Sequence, residues 1–322
     1  MATRNLANRM DLPFVGLVTF AGQPACEDWD KLDGADVAVL GVPIDTAASN
    51  RAGARYGPRS IREASMFHGF GVAGVYDFED DVTYLTADQI KVVDAGDSDV
   101  IYGDTRRSLA NAEASVRALI DAKAIPLILG GDHSITAATV AAYDHEQPFH
   151  IVHIDAHFDF VDDSNGVTWG HGSGLRRASE MSHVSSITTI GPRNMGAVSK
   201  ASYESAKAYG TNVVSAQRLK EQGAKTSLAH IADGERVYVT IDIDGFDPSI
   251  APGTGTLSHG GLTYLEGKQI LKEVAKRFDV VGIDLVEVSP PYDSAEITSL
   301  LAARLSLDFL GAIFYERATS TK

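Results

Sequence analysis

Four short segments hold nearly all the side chains with which this chain could do chemistry. They are Gly130-Gly131-Asp132-His133-Ser134, Asp155-Ala156-His157-Phe158-Asp159, Asp242-Ile243-Asp244-Gly245-Phe246-Asp247-Pro248 and Val286-Glu287-Val288-Ser289-Pro290. Asp155, His157 and Asp159 stand at i, i+2 and i+4, a spacing that points all three to one side of a strand and lets them converge where the strand frays. Asp242 and Asp244 share the i, i+2 relation. Carboxylates this close repel and raise one another's pKa, so a positive partner must hold them ionised, and a divalent cation is the simplest one. The set of two imidazoles (His133, His157) and four carboxylates (Asp155, Asp159, Asp242, Asp244) suits Mn²⁺ best, ahead of Ni²⁺, Co²⁺ or Zn²⁺. Six protein ligands are too many for one catalytic ion that must also hold water, and two ions sharing bridging carboxylates fit better. Singly, each piece is weak: a His after Gly-Gly-Asp is usually a satisfied loop residue, and Asp-x-Asp before Gly is usually a solvated turn. Their joint placement carries the argument.

That placement comes from the surrounding elements. Apolar, β-branched runs at 35–43, 91–93, 125–129, 149–154, 186–190, 212–214, 237–243 and 280–288 read as strands. Amphipathic stretches from 58 and over 104–122, 134–143, 197–209, 216–222, 262–276 and 295–311 read as helices. Such alternation predicts an α/β fold, a three-layer α/β/α arrangement around a mostly parallel central sheet. Each chemical segment falls at the C-terminal end of a strand, where open α/β sheets place ligands. The least regular stretches are 1–34, 68–90 and 160–180. No repeat or linker divides the chain, so a single domain over 1–322 with an irregular N-terminal extension (1–34) is expected.

The 322 residues are 44% hydrophobic, ample for a large core, and the net charge of −15 argues against extended nucleic-acid or anionic-membrane contacts. A single cysteine, Cys26, excludes an intrachain disulfide and a cysteine-based zinc site. The start of the chain lacks the apolar core of a signal peptide, and no apolar run approaches the ~20 residues that span a bilayer. A cytoplasmic protein is the expectation.

In order and separation, the blocks at 130–135, 155–159 and 242–248 resemble the three signature blocks of the ureohydrolases (arginases, agmatinases and related amidinohydrolases). Gly41-Val42-Pro43 with the run Arg51 to Pro58 resembles the family's early segment, and the run Asp284 to Asp293 is similar to the agmatinase-type late block. The resemblance implies the arginase-like fold and two Mn²⁺ ions. One ion would sit on His133, Asp155, Asp159 and Asp242, the other on Asp155, His157, Asp242 and Asp244, with Asp155 and Asp242 bridging. It further implies Glu287 as the carboxylate that orients a substrate guanidinium, His171 as a substrate-loop histidine, Asp132 and Asp247 as residues that orient ligands, and a homotrimer or homohexamer.

The expected reaction splits a guanidino compound into urea and an amine, with Asp159 accepting a proton from the attacking water and passing it to the leaving amine. Agmatine, giving putrescine, is the leading substrate, because 160–170 contains Asp162 and Asp163 but no Lys or Arg and so favours a cationic tail. Guanidinobutyrase, guanidinopropionase or another guanidino-acid hydrolase is the alternative. Ser164, Asn165 and Trp169 are further pocket candidates, with packing the alternative role for Trp169 and Phe158. A two-metal phosphoesterase would want cationic residues where these strand ends carry carboxylates, and a non-catalytic subunit would be expected to have lost ligands. Two segments depart from the agmatinase pattern: His171-Gly172-Ser173-Gly174-Leu175, where Gly-Thr-Pro-Phe usually follows the histidine, and Leu257-Ser258-His259, where Pro-Glu-Pro is common.

Overall fold

The computed structural model describes residues 12–320 apart from 27 and 33. The β-branched runs pair into one sheet. In chain order its strands are β1 (Val37–Val42), β4 (Val92–Asp97), β5 (Ile125–Gly130), β6 (Phe149–Ile154), β7 (Val184–Ile190), β8 (Asn212–Val214), β9 (Arg236–Asp242) and β10 (Asp279–Val286), while β2 (Val75–Asp77) and β3 (Val82–Tyr84) form a separate antiparallel hairpin. The sheet order is β4-β1-β5-β10-β9-β6-β7-β8, and every pairing is parallel. Strands β1, β6 and β9 are covered on both faces, as their near-continuous apolar sequences require. The helices are α1 (Gly57–Ser65), α2 (Thr105–Asp121), α3 (Ile135–Ala141), α4 (Gly174–Ala178), α5 (Lys200–Tyr209), α6 (Ala216–Ser227), α7 (Tyr264–Arg277) and α8 (Ile297–Ser320). Two apolar clusters, one holding Ile61, Ile270 and Leu310 and the other Leu109, Val116 and Ile135, complete the three layers.

Several expectations need correction. The stretch 68–90 holds the β2–β3 hairpin, and 160–180 holds the short helix α4. Residues 1–11, 27 and 33 of the N-terminal extension lie outside the described residues; in the remainder Phe20 is fully buried and Ala25 bridges to Asp94 of β4, while Phe14, Leu17 and Val18 are exposed. The final helix is, by length and composition, apolar enough to cross a membrane, contrary to the reading that no run is. Most of it is packed inside the protein, however, with Leu305, Phe309 and Leu310 fully buried, so it serves as a core helix.

Helix α1 is tied to edge strand β4 by ion pairs. Arg62 Nε and Nη2 donate to the two oxygens of Asp94 at 2.8 and 3.0 Å, and Nη1 donates to Asp97 at 2.7 Å. Asp94 also accepts from the Phe20 amide. Arg62 and Asp94 are both buried. Removing one partner leaves the other charge uncompensated, so Arg62→Met is expected to destabilise the fold by about 3–5 kcal/mol. Urea unfolding followed by circular dichroism checks this, and an unchanged midpoint would contradict it.

Near the start of β6, buried His150 contacts Ser186 and, at 2.8 Å, Thr188, with the His230 ring close by. Burial, assisted by His230, lowers the His150 pKa to about 3. The unfolded chain therefore binds a proton here below about pH 6.5 that the folded chain refuses, and stability falls as pH drops through that value. One such group contributes ~1.4 kcal/mol per pH unit. His150→Asn is expected to show a shallower loss of stability between pH 6.5 and 5, and matching acid slopes for the two proteins would refute it.

Candidate metal centre

The four chemical segments meet because strands β5, β10, β9 and β6 are consecutive neighbours in the sheet. Val286 is level with Asp242, and Ile154 with Ile241, so the segments leave the sheet at nearly the same height. Gly131 is where the β5 end threads between its neighbours. Its amide donates to Val42 O, its carbonyl accepts from the Glu287 amide, and a Cβ there would lie 1.7 Å from Ile44 O. Only glycine fits such a backbone approach.

His133 Nδ1 lies 3.1 Å from Asp155 Oδ2, 2.8 Å from Asp159 Oδ2 and 3.1 Å from Asp242 Oδ2. His157 Nδ1 lies 3.2 Å from both Asp155 Oδ1 and Asp244 Oδ2. Asp155 thus serves both groups, one oxygen to each. Asp242 joins the His133 group, and its other oxygen accepts from the Asp244 amide at 2.8 Å. The segments converge where a strand gives way to a loop. β6 ends at Ile154, so Asp155, His157 and Asp159 stand on a loop rather than along a strand. Asp159 and Glu287 both adopt positive φ, 48° and 64°, a left-handed backbone that turns each side chain inward at some cost in strain.

Electrostatics follow from this crowding. Burial raises the Asp242 pKa well above the carboxylate range, and Asp244 and Asp155 add to it. Burial would raise Asp155 too, but His153, His133 and His157 bring it well below. Burial would depress His157, yet Asp155 and Asp244 push it up to about 12. No Lys or Arg side chain forms an ion pair with these carboxylates among the described residues. Imidazoles beside buried carboxylates are the donor set of hard-to-borderline divalent cations, which would take the place of the imidazole protons. Candidate ion-holding groups are Asp155, His157 and Asp244, and His133 with Asp155 and Asp159. The side chains fit a pair of ions.

His153 was not anticipated. It is fully buried two residues before Asp155, with Nε2 2.8 Å from Asp155 Oδ2 and Nδ1 3.2 Å from Thr189 Oγ1. It counts among the metal-binding candidates, and its Nε2 bonds the same Asp155 oxygen that His133 faces, a contact that orients Asp155. The i, i+2 relation to Asp155 was the available signal. Similarly, His133 Nε2 meets Thr240 Oγ1 at 2.9 Å.

Glu287 Oε1 accepts from the His133 amide and faces His171 Nδ1, each at 3.0 Å. Burial lowers the His171 pKa, but Glu287 more than reverses this and lifts it to about 9. The Ser49 amide donates to His171 Nε2 at 3.1 Å, which calls for a lone pair there. In either protonation state Nδ1 carries a hydrogen, so His171 donates to Glu287. Asp132 accepts from the Ala47 amide, and Ala47 O accepts from the His171 amide, so Asp132 is tied to His171 through Ala47. Asp247 departs from expectation, accepting from Ser249, Gly260 and Gly261 and shaping a loop rather than orienting a ligand side chain.

A cavity of about 320 Å³ opens over Asp159, Asp242 and His157, walled by Phe158, Phe160 and Val198. A second, of about 370 Å³, continues past His171 along Ala48, Val161 and Val167. Phe158 lines the first cavity while packing edge-on to Tyr203. Ser164 lines the second, whereas Asn165 lines neither, and Trp169 stacks under the Arg106 guanidinium. Asp162 and Asp163 line neither cavity. Asp162 is held by Arg177, with Arg176 at 3.6 Å, and Asp163 accepts from the Gly166 amide. Two arginines just beyond the loop neutralise Asp162, which 160–170 alone could not show.

This parallel α/β/α layer fold, with a shared-carboxylate cluster suited to divalent cations at the carboxyl edge of its central strands, is the framework of a hydrolase family. The chain belongs to the arginase family, whose family model matches residues 35–311. Its relatives include a guanidinobutyrase from Pseudomonas aeruginosa, 34% identical over 92% of each chain. An agmatinase from Bacillus cereus is 34% identical, covering 94% of this chain and 98% of the relative. The solved proclavaminate amidinohydrolase of Streptomyces clavuligerus superposes with a TM-score of 0.83 at 32% identity, covering 95% of this chain and 99% of the other.

Proposed function

We propose that this arginase-family hydrolase is a binuclear-manganese amidinohydrolase that splits agmatine into urea and putrescine. The observation that carries the catalytic part is the sharing of Asp155 between the His133 and His157 groups. In the proposed assignment His133, Asp155, Asp159 and Asp242 hold one ion, and Asp155, His157, Asp242 and Asp244 the other. When bound, two divalent ions supply Lewis acidity that makes water a nucleophile near neutral pH.

The protein's own groups do the rest. Glu287 Oε1 is already held by His133 and His171, which leaves Oε2 for the guanidinium N–H groups. Asp159, at the cavity floor, takes the proton of the attacking water and returns it to the nitrogen of the departing amine. His171 steadies Glu287 from the wall that the two cavities share.

For the tail, the supporting observation is that neither cavity is lined by Lys or Arg among the described residues. A guanidino acid would bring a carboxylate with no cationic partner into an already anionic site, whereas an amine tail suits that field. Guanidinobutyrase or guanidinopropionase activity is the alternative. Urea release by Mn²⁺-loaded protein over agmatine, arginine, 4-guanidinobutyrate and 3-guanidinopropionate is expected to favour agmatine and to stop on chelation. Preference for a guanidino acid would overturn the substrate, and no urea from any compound with both ions bound would overturn the chemistry. A trimer or hexamer in the cytoplasm belongs to the same proposal, and light scattering tests the assembly.

A further inference from the structure

We infer that Arg193 is a positioning residue that sets the geometry of one metal site by locking the Asp244 turn to the Asp155–His157 loop. This rests on reading Asp155, His157 and Asp244 as ligands of one ion. Arg193 is the most heavily bonded guanidinium near the centre, and it meets no carboxylate. Nε donates to Ser258 O and His259 O, Nη1 to Gly191 O and Gly245 O, and Nη2 to Asp244 O, Phe246 O and Ser258 O, at 2.6–3.2 Å. Its own amide donates to Ala156 O at 3.2 Å, between Asp155 and His157. Across the same gap the Ala156 amide donates to Asp244 Oδ1, and Thr256 Oγ1 to Asp244 Oδ2 at 2.6 Å.

The chain around it is shaped to admit the fork. A Cβ on Gly261 would lie 2.6 Å from Arg193 Nη2. Asn194, at φ 66°, adds bonds to Ser258 Oγ and His259 O. The segment so clamped is the one whose Leu257-Ser258-His259 departs from the agmatinase pattern. Only a planar fork with five donors serves three backbone stretches at once, and an ammonium has three donors at one point.

Charge and geometry predict opposite results. Arg193 lies within the field of Asp244, Asp155, Asp247 and Asp242. If it acted through charge alone, its removal would tighten cation binding. If it positions Asp244, removal weakens the site containing Asp244 and spares the one around His133 and Asp159.

The test is a Co²⁺ titration of metal-free full-length protein, by calorimetry and by the cobalt absorption bands, for wild type, Arg193→Met and Arg193→Lys, each first verified as folded by circular dichroism. The expected result is a wild type holding two ions, and in both variants one site weakened by about 10- to 100-fold with the other unchanged, the size usual for groups that orient ligands. If Arg193→Met does not fold, Arg193→Lys decides. Two unchanged sites, tighter binding, or equal weakening at both would overturn the inference. A wild type that holds fewer than two ions would instead overturn the metal assignment beneath it.

Discussion

Asparagine in place of Asp159 is expected to slow urea release by about 100- to 10,000-fold, the usual contribution of a positioned proton carrier. The substitution keeps the shape of the side chain and one carbonyl oxygen but removes the negative charge and the capacity to accept a proton. Folding is not at risk. The Asp159 backbone is held through its carbonyl, which accepts from Leu175 and Arg176 at 3.1 Å, and asparagine tolerates the left-handed φ of 48° at this position better than most residues. The matching change at Asp244, which contacts His157 rather than His133, is expected to act through ion occupancy. Metal analysis should show the Asp244→Asn protein losing one ion, while its thermal unfolding in the metal-free state stays close to wild type. Wild-type turnover by Asp159→Asn with both ions in place would remove Asp159 from the reaction.

Replacing Glu287 by Gln is expected to lower kcat/KM by about 30- to 4,000-fold, corresponding to about 2–5 kcal/mol for truncating a buried hydrogen-bonded charge pair. Glu287 is 2% exposed, so a guanidinium that reaches it sheds its water and depends on the full carboxylate charge. Glutamine still offers an oxygen to the His133 amide and to His171, which separates loss of charge from loss of structure. Initial rates with agmatine and direct measurement of bound metal check the result together. A change in kcat/KM of less than threefold at full metal occupancy would show that Glu287 does not hold the guanidinium.

Much of this site was legible before any coordinates. The β6 boundaries coincide with the apolar run 149–154, because a strand buried on both faces writes its burial continuously into the chain. The same logic found the strand ends that bear His133, Asp155, Asp242 and Glu287. What local pattern lacked was partnership across the chain. Asp162 looked like a pocket charge until Arg177 closed on it from beyond the loop, and His153 read as one more strand residue until it met Asp155 and Thr189. Arg193 stood in no motif, and its role rests on carbonyls more than 50 positions away. The β2–β3 hairpin was too short for its periodicity to register.

The sequence by itself determined the fold class, the candidate donor residues and the likeness to the ureohydrolases, since residue type sets metal preference and periodicity sets which faces are buried. Tertiary structure alone decided that β5, β10, β9 and β6 lie side by side, that Arg177 closes on Asp162, and that among the described residues no Lys or Arg lines the two cavities. Strand order and side-chain pairing are long-range properties, decided by which surfaces bury one another, and no window of neighbouring residues encodes them.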